Sequence, residues 1–383
     1  MNRPRILISG AGPVGLALAC ACRDFDVTLL DAAPARPAPG EDFDLRIFAL
    51  SSGTRAFLRE IGAWDLLDAR RIGTVRRMEV FGGEGAKLSF NGRAGGALAW
   101  IVEAGRLGNA LEEQAATNPQ LSRRHESRAS SFEASAAGAT VILRGGERIE
   151  GDLLVGADGP DSRVRKLLGL EAEEKSYGED AIVANFETEK DHGDCARQWF
   201  RPDGVLAWLP LPAKRISIVW SAPAAEADAL AALDARALER RVRDAGASML
   251  GDLRLISPVA RFPLRMIRLE RIVSPGVALI GDAAHGVHPL AGQGVNLGFQ
   301  DARVLGEELA GRSQVERVGD MRVLRRYARN RREDVTAMQF VTDSLDKLFS
   351  AEGKRASWLR DAGLRLVDGQ SLLKEALAGR AMR

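Results

Sequence analysis

Residues 5–31 read RILISGAGPVGLALACACRDFDVTLLD. An apolar run at 5–9 meets glycines at 10, 12 and 15, and LALACAC follows at 16–22, which predicts strand, turn and helix. DVTLLD at 26–31 supplies a second strand. Two strands joined through a helix in so short a span must run parallel, with a right-handed crossover. In the GAGPVG turn, Gly10 permits the sharp bend and Gly12 lets a diphosphate approach the backbone. Gly15 lets helix and strand pack closely, while Pro13 and Val14 open the helix. The helix N-terminus offers unpaired N–H groups and a partial positive charge to that diphosphate. Asp31, closing the second strand, is where a ribose 2′-hydroxyl would be held. The six-residue turn alone is a weak signal. Strand, helix and answering acid together make 5–31 a dinucleotide site, against the blander reading of a glycine turn with a surface aspartate.

Around this segment the chain has 383 residues, 45% of them apolar and 28% charged, as in ordinary globular proteins. That length exceeds what one hydrophobic core usually serves, so one large or two joined domains are expected. Fifty-four basic residues balance 52 acidic ones with no basic block, which leaves nucleic-acid binding without an electrostatic footprint. Cys20, Cys22 and Cys195 are too few and too badly spaced for a metal site and suit a reducing cytoplasm. No signal peptide is visible, and no apolar run reaches the roughly 18 residues that suggest a spanning helix.

Further along, AAPARPAPGEDF is a proline-rich loop, and TRAFLREIGAWDLLDA (54–69) has helical spacing. WIVEAGRLGNALEEQAA (100–116) predicts a short strand and a helix, and 139–159 a hairpin with a Gly-Gly turn ending at a second acid-glycine turn. From about Tyr177 the character changes: AIVANFE, VLAWLPL and RISIVW look like antiparallel strands, with a helical segment, EADALAALDARALERRVRDA, after them. GVALIGDAAH (276–285) returns to buried parallel-strand character, and the rest is amphipathic helix. The expected fold is α/β. A discontinuous Rossmann-like domain (1–176 and 265–341) carries an antiparallel-sheet substrate domain (177–264) and a helical C-terminal segment (342–383).

GDAAHGVHPLAGQGVNLGFQDA (281–302) decides which dinucleotide is bound. A zinc reading needs His285 and His288 on one helical face, which Pro289 disfavours. What remains is a strand, an acid after glycine (Gly281-Asp282), and a glycine-rich turn entering a helix. Asp282 can accept hydrogen bonds from a sugar-alcohol chain, and a second helix N-terminus can face a group that becomes anionic. Reduced flavin is such a group, whereas NAD has neither a ribityl chain nor a matching anion. FAD fits.

HPLAGQGVNLGFQD (288–301) resembles the signature of the ubiquinone-biosynthesis hydroxylases, FAD-dependent aromatic-ring monooxygenases with a p-hydroxybenzoate-hydroxylase-like fold. GAGPVG (10–15), DLRIFALS (44–51), GADGPDSRVRKLLG (156–169), LAWLPLP (206–212), SIVW (217–220) and GLRLVDGQSLLKEAL (363–377) extend the likeness over almost the full length. The resemblance implies that Arg46 contacts the FAD diphosphate or ribose and that Asp158 sits near the cofactor. An Asp-Gly turn after a strand, as at Asp158-Gly159, is also a common structural device. It further implies that Asp282 binds the ribityl neighbourhood, and that Pro289, Gly292, Gln293, Gly294, Val295 and Asn296 line the isoalloxazine. Ala104 stands where relatives often carry a polar side chain. Arg106 either supplies that contact or is a solvated helix arginine.

The resemblance implies non-covalent FAD, NAD(P)H as co-substrate without a Rossmann unit of its own, and oxygen transfer through a C4a-hydroperoxyflavin to a polyprenylated phenol or quinol. No catalytic side chain is required for this, because the cofactor carries the chemistry. Trp199, Phe200, Trp208, Leu209 and Trp220 either wall the substrate or form plain sheet core. The other readings are a soluble-phenol hydroxylase of the same fold and a non-catalytic FAD-containing subunit of a quinone-biosynthesis complex. A lipid-borne substrate implies a cytoplasmic enzyme that meets the inner membrane peripherally. The tail 357–383, with Trp358, Leu364 and Leu373 beside Arg360, Arg365 and Lys374, either packs on the FAD domain, as amphipathic patterns more often do, or meets anionic headgroups.

Overall fold

The computed structural model describes residues 3–82, 86–92, 95–201, 203–286 and 294–350. Its centre is a six-stranded sheet. Strand β1 (Arg5–Ser9) lies between Leu153–Gly156 and β2 (Asp26–Leu30), all parallel, with Val277–Leu279 and Leu121–Arg124 continuing the sheet on either side. Ile6, Leu7, Ile8, Leu153, Leu154 and Val155 are buried, because helices cover one face of the sheet and a three-stranded antiparallel sheet of Ala129–Ser135, Gly138–Leu143 and Arg148–Gly151 covers the other. Helix α1 (Pro13–Ala21) starts at an N-cap glycine with proline at its first position and packs its small residues against the sheet. The Gly294–Ala310 helix lies across it.

The second sheet has eight strands. Leu253–Leu255, Ala172–Thr188, Arg215–Pro223, Gly204–Leu211 and Cys195–Arg201 run antiparallel, and Ala260–Leu269 pairs along Ala172–Thr188. Two further strands, Arg77–Phe81 and Lys87–Asn91, come from the chain before residue 177, and Arg77–Phe81 joins Cys195–Arg201 in parallel. Between the large sheets lies a small antiparallel one of Ile47–Leu50, Ala99–Glu103 and Gly73–Val75.

Side chains alternate across a strand. One face of the second sheet, with Trp199, Trp208, Trp220, Ile218 and Phe186, is sealed by Leu230, Leu238 and Val242 of two helices, Ala224–Ala231 and Ala235–Ala245. Of the two readings open for the aromatic residues, core therefore holds for the three tryptophans. Leu209 falls on the opposite face, in a cluster with Phe43, Ile47 and Ala49.

Two expected helices are interrupted for visible reasons. The one at 54–69 spans Ser52–Glu60 and ends before Gly62, whose φ of +83° breaks the helical path. The one after Pro223 is split at 232–234, where Asp234 caps a new helix by accepting from the Ala237 N–H. The last helix runs Met321–Ser350, and residues 351–383, with the tail pattern at 357–383, lie outside the described ones. Among the described residues no helix is long and apolar enough to cross a membrane.

Candidate functional site

The three glycines of the first turn differ in what surrounds them. A Cβ on Gly10 (φ +111°) would lie 2.3 Å from the Ala157 carbonyl oxygen, and one on Gly15 would lie 2.1 Å from that of Gly10. These two are required by the protein itself. A Cβ on Gly12 would meet nothing within 4 Å, and no side chain caps the helix there. The space over the helix N-terminus is therefore left open on the side where a diphosphate would approach. Asp31 closes the turn: one carboxylate oxygen accepts from the Ala11 N–H (2.6 Å), the other from the Ala33 N–H (2.7 Å). Its remaining lone pairs can still accept a hydroxyl.

The second motif meets the first around Val14. A Cβ on Gly298 would lie 2.6 Å from the Val14 side chain, so glycine there lets the two segments close together, whereas one on Gly281 would make only ordinary contact with Val14 (3.4 Å). Gly281 has φ +60° and begins a short 3-10 turn, Gly281–Ala283, which carries Asp282. Burial pushes the Asp282 carboxyl up, while His285 and Arg46 oppose that shift. Beneath the turn lies a buried network. The Asp301 carboxylate accepts from the Gly281 N–H (2.9 Å), sits 2.6 Å from His285 Nε2 and accepts from Arg331 Nε (2.7 Å). Burial would raise the Asp301 carboxyl, but His285 and Arg331 outweigh it and hold it below the usual range. His285 is thereby committed to Asp301.

The remaining expected residues fall in different places. Arg46 is exposed on the 41–46 loop, close enough to Asp282 to influence its charge. The Asp44 carboxylate accepts from the Arg46 N–H (3.0 Å) and the Gly105 N–H (2.8 Å). Asp158 caps the short Arg163–Leu167 helix, accepting from Ser162 Oγ (2.5 Å) and from the Arg163 and Val164 N–H groups (2.7 and 3.1 Å). Arg106 donates to the Gly40 carbonyl (2.7 Å) and pairs with buried Glu103 (3.0 Å), which also binds Arg71 (2.7 Å). Of its two sequence alternatives, free solvation does not describe it. Asn296 is buried, donating to the Ala49 carbonyl (2.8 Å) and accepting from the Ser51 N–H (2.9 Å), so it pins the end of the Ile47–Leu50 strand. Gly294 opens its helix and Val295 packs against the main core. Pro289, Gly292 and Gln293 lie outside the described residues.

Sequence reasoning passed over Asp301, Arg331 and Arg165. Buried Arg165 donates to the Ala283 carbonyl (3.0 Å) and the Pro160 carbonyl (2.7 Å), tying the GADG turn to the Gly281–Ala283 turn. Asp301 stood inside the motif already singled out. Arg331 left no local signal, because its partner is 30 residues away.

An open cradle at Gly12, an acid at each strand end and a cation beside Asp282 suit a dinucleotide bearing a sugar-alcohol chain. The family profile described as "FAD binding domain" matches residues 3–342. The chain is 34% identical to 3-demethoxyubiquinol 3-hydroxylase of Escherichia coli (strain K12), over 97% of each protein. It is 31% identical to the human mitochondrial ubiquinone biosynthesis monooxygenase COQ6, over 97% of this chain and 91% of that one. Pseudomonas aeruginosa PqsL, solved in complex with 2-aminobenzoylacetate, has the same fold: TM-score 0.79 at 24% identity, over 95% of this chain and 100% of that one. The chain belongs to the FAD-binding domain family, within its group of ubiquinone-biosynthesis hydroxylases, which are FAD-dependent monooxygenases.

Proposed function

We propose that this protein hydroxylates the aromatic ring of a polyprenylated phenol or quinol in ubiquinone biosynthesis, with FAD bound non-covalently and NAD(P)H as reductant. The observation that supports the reading is the approach of the two glycine motifs at Val14, which brings the segment with the open Gly12 cradle beside the segment that carries Asp282. FAD supplies the redox chemistry, accepting a hydride from NAD(P)H and activating dioxygen.

The chain's own residues bind, orient and shield. The α1 N-terminus and Gly12 receive the diphosphate, Asp31 the adenosine ribose, and Arg46 adds positive charge on the diphosphate side. Asp282 accepts from the ribityl hydroxyls. The N-terminus of the Gly294–Ala310 helix would offer its positive dipole end to the flavin ring, which gains negative charge on reduction. Asp158 and Arg106 act on this site through backbone, the first by shaping the GADG turn and the second by holding the 40–44 loop.

The substrate ring lies against the face of the second sheet that the tryptophans do not occupy. Ala207 and Val219 are cross-strand partners there, with Leu209 two residues on, and all three are half-buried. The face also carries Gln198 beside Ala207 and Ser217 beside Leu209; its apolar part would exclude water from the reacting atoms and suit a prenylated ring. A lipid-borne substrate would be met at the membrane surface; for the segment 357–383, packing on the FAD domain is the favoured reading and membrane contact the other.

Oxygen uptake tests the proposal. NAD(P)H oxidation coupled to stoichiometric hydroxylation of a prenylated phenol supports it. Equal turnover of unprenylated phenols favours a soluble-phenol hydroxylase, and no product with any phenol by a protein that holds FAD favours a non-catalytic subunit. Complementation of strains that each lack one quinone hydroxylase, with the accumulated intermediates identified by mass spectrometry, then assigns the ring position.

A further inference from the structure

One ridge of the Met321–Ser350 helix makes polar contacts at positions 327, 331, 339 and 343. Tyr327 donates its hydroxyl to the Leu279 carbonyl (2.8 Å), at the end of the strand that leads into the second motif. Arg331 donates to Asp301, whose other oxygen holds the Gly281 N–H and His285. Gln339 donates to the carbonyls of Ile267 (3.0 Å) and Gly286 (3.3 Å). Asp343 pairs with Lys175 Nζ (3.0 Å) on the second sheet. Residues four apart share a helix face, and sixteen residues at 1.5 Å each span about 24 Å. The ridge thus touches the segment 279–286 at its beginning and at its end, reaches its glycine turn through Asp301, and then meets the other sheet.

Packing alone does not require these side chains. The helix already buries Val323 and Leu324 against the core, whereas Arg331 and Asp301 are charged groups at 1% and 0% exposure. Apolar residues of similar volume often replace such a buried pair without loss of stability. What the pair does supply here is direction. Gly281 sits at φ +60° and its N–H points at Asp301, so the carboxylate, held from behind by Arg331, fixes the turn that presents Asp282. Gln339 does the same at Gly286, where that segment is bridged to Ile267.

We propose that the Met321–Ser350 helix is a splint for the segment 279–286, and that Arg331 and Gln339 are positioning residues that set the cofactor-facing turn; this rests on the FAD reading above. The splint changes how well Asp282 meets the cofactor, and thus cofactor affinity and the environment of the flavin.

The test uses full-length apoprotein titrated with FAD, followed by flavin fluorescence and visible circular dichroism, with melts of the apoproteins alongside. Arg331→Met is expected to raise the FAD Kd about tenfold, the loss of one charge-assisted hydrogen bond, and Gln339→Ala about threefold. Both are expected to alter the visible dichroism of the bound flavin, and Arg331→Lys to restore part of the affinity. Arg332→Ala, at an exposed neighbour on the same turn, leaves both readouts unchanged. If Arg331→Met does not fold, Gln339→Ala decides, because the two carbonyls it releases keep each other's N–H groups as partners. Folded Arg331→Met or Gln339→Ala protein with Kd within twofold of the parent and unchanged dichroism overturns the splint. A parent chain that takes up no FAD overturns the underlying reading first, and the splint with it.

Discussion

Gly12→Val and Gly15→Val place the same side chain three residues apart in one turn, and the structure assigns them opposite consequences. At Gly12 the backbone is extended (φ −68°, ψ 171°), which valine adopts without strain, and the new Cβ meets no protein atom within 4 Å. The fold loses only an indifferent N-cap, at most about 1 kcal/mol, since glycine caps better than valine. That corresponds to a melting-temperature change of about 2–4 °C or less in a chain this large. The cofactor loses far more. A branched side chain over the helix N-terminus keeps the diphosphate from the N–H groups, and each charge-assisted hydrogen bond removed costs about 1.5–3 kcal/mol. Losing two weakens FAD binding by about 10²–10⁴-fold, at 1.4 kcal/mol per decade. At Gly15 the clash is with the protein: a Cβ would lie 2.1 Å from the Gly10 carbonyl oxygen and 3.1 Å from Ala157 Cβ. Neither atom belongs to a flexible side-chain end, so overpacking of about 1–3 kcal/mol or more falls on folding itself. Melts of the apoproteins by far-UV dichroism, paired with FAD titration by fluorescence quenching, separate the two. A Gly12→Val protein that folds and binds FAD within threefold of the parent would refute the placement of the diphosphate.

Asp282→Asn is expected to loosen FAD while raising apoprotein stability at neutral pH. The folded carboxyl is pushed up by burial, so its contribution is full below the unfolded value near 3.8 and is lost as pH rises through the folded one; a melt at pH 7 that fails to rise contradicts this. Asp301 has the opposite sign. Its folded value is lowered, so its stabilisation holds above the unfolded value and fades as pH falls into the acid range. Asp301→Asn leaves buried Arg331 with only the exposed Asp334 (2.8 Å) as countercharge and should cost up to about 3–5 kcal/mol, read as a lower denaturant midpoint. Trp208→Ala, in the sealed face of the second sheet, should cost about 3–5 kcal/mol and leave FAD affinity unchanged; altered FAD binding at intact stability would place Trp208 at the site instead. Flotation with anionic liposomes, comparing the full chain with one ended at Ala356, separates the two readings of 357–383: a folded, yellow truncation that floats less assigns the segment to the membrane, and equal flotation removes it as the contact.

The parts of this fold that were legible in the sequence are those whose cause is local. Gly10, Gly12 and Gly15 lie within six residues because turn, diphosphate approach and helix packing all act at one strand end, and that compression is visible as a motif. The Asp234 cap and the Gly62 stop are equally local, though amphipathic spacing on both sides masked them. The tryptophans were ambiguous for a different reason. A strand buried on one face and half-covered on the other shows alternation without saying which side the helices take, and Trp199, Trp208 and Trp220 went to the helix side. Asp158 and Asn296 could not be read further, because a carboxylate or amide in a cofactor motif can meet the ligand or hold the backbone that does. Here the Asp158 carboxylate holds a helix start, and the Asn296 amide holds the Ala49–Ser51 backbone. Arg331 lies at the far end of this scale. Its neighbours, RNRRED at 329–334, look like a solvated charged face, and nothing in them says which arginine turns inward. Only the docking of the helix on the Gly294–Ala310 helix selects it, by placing Asp301 at 0% exposure where a buried carboxylate needs a cation. The demand that makes Arg331 necessary arises from an acid 30 residues earlier, inside the motif that the sequence had already marked as functional.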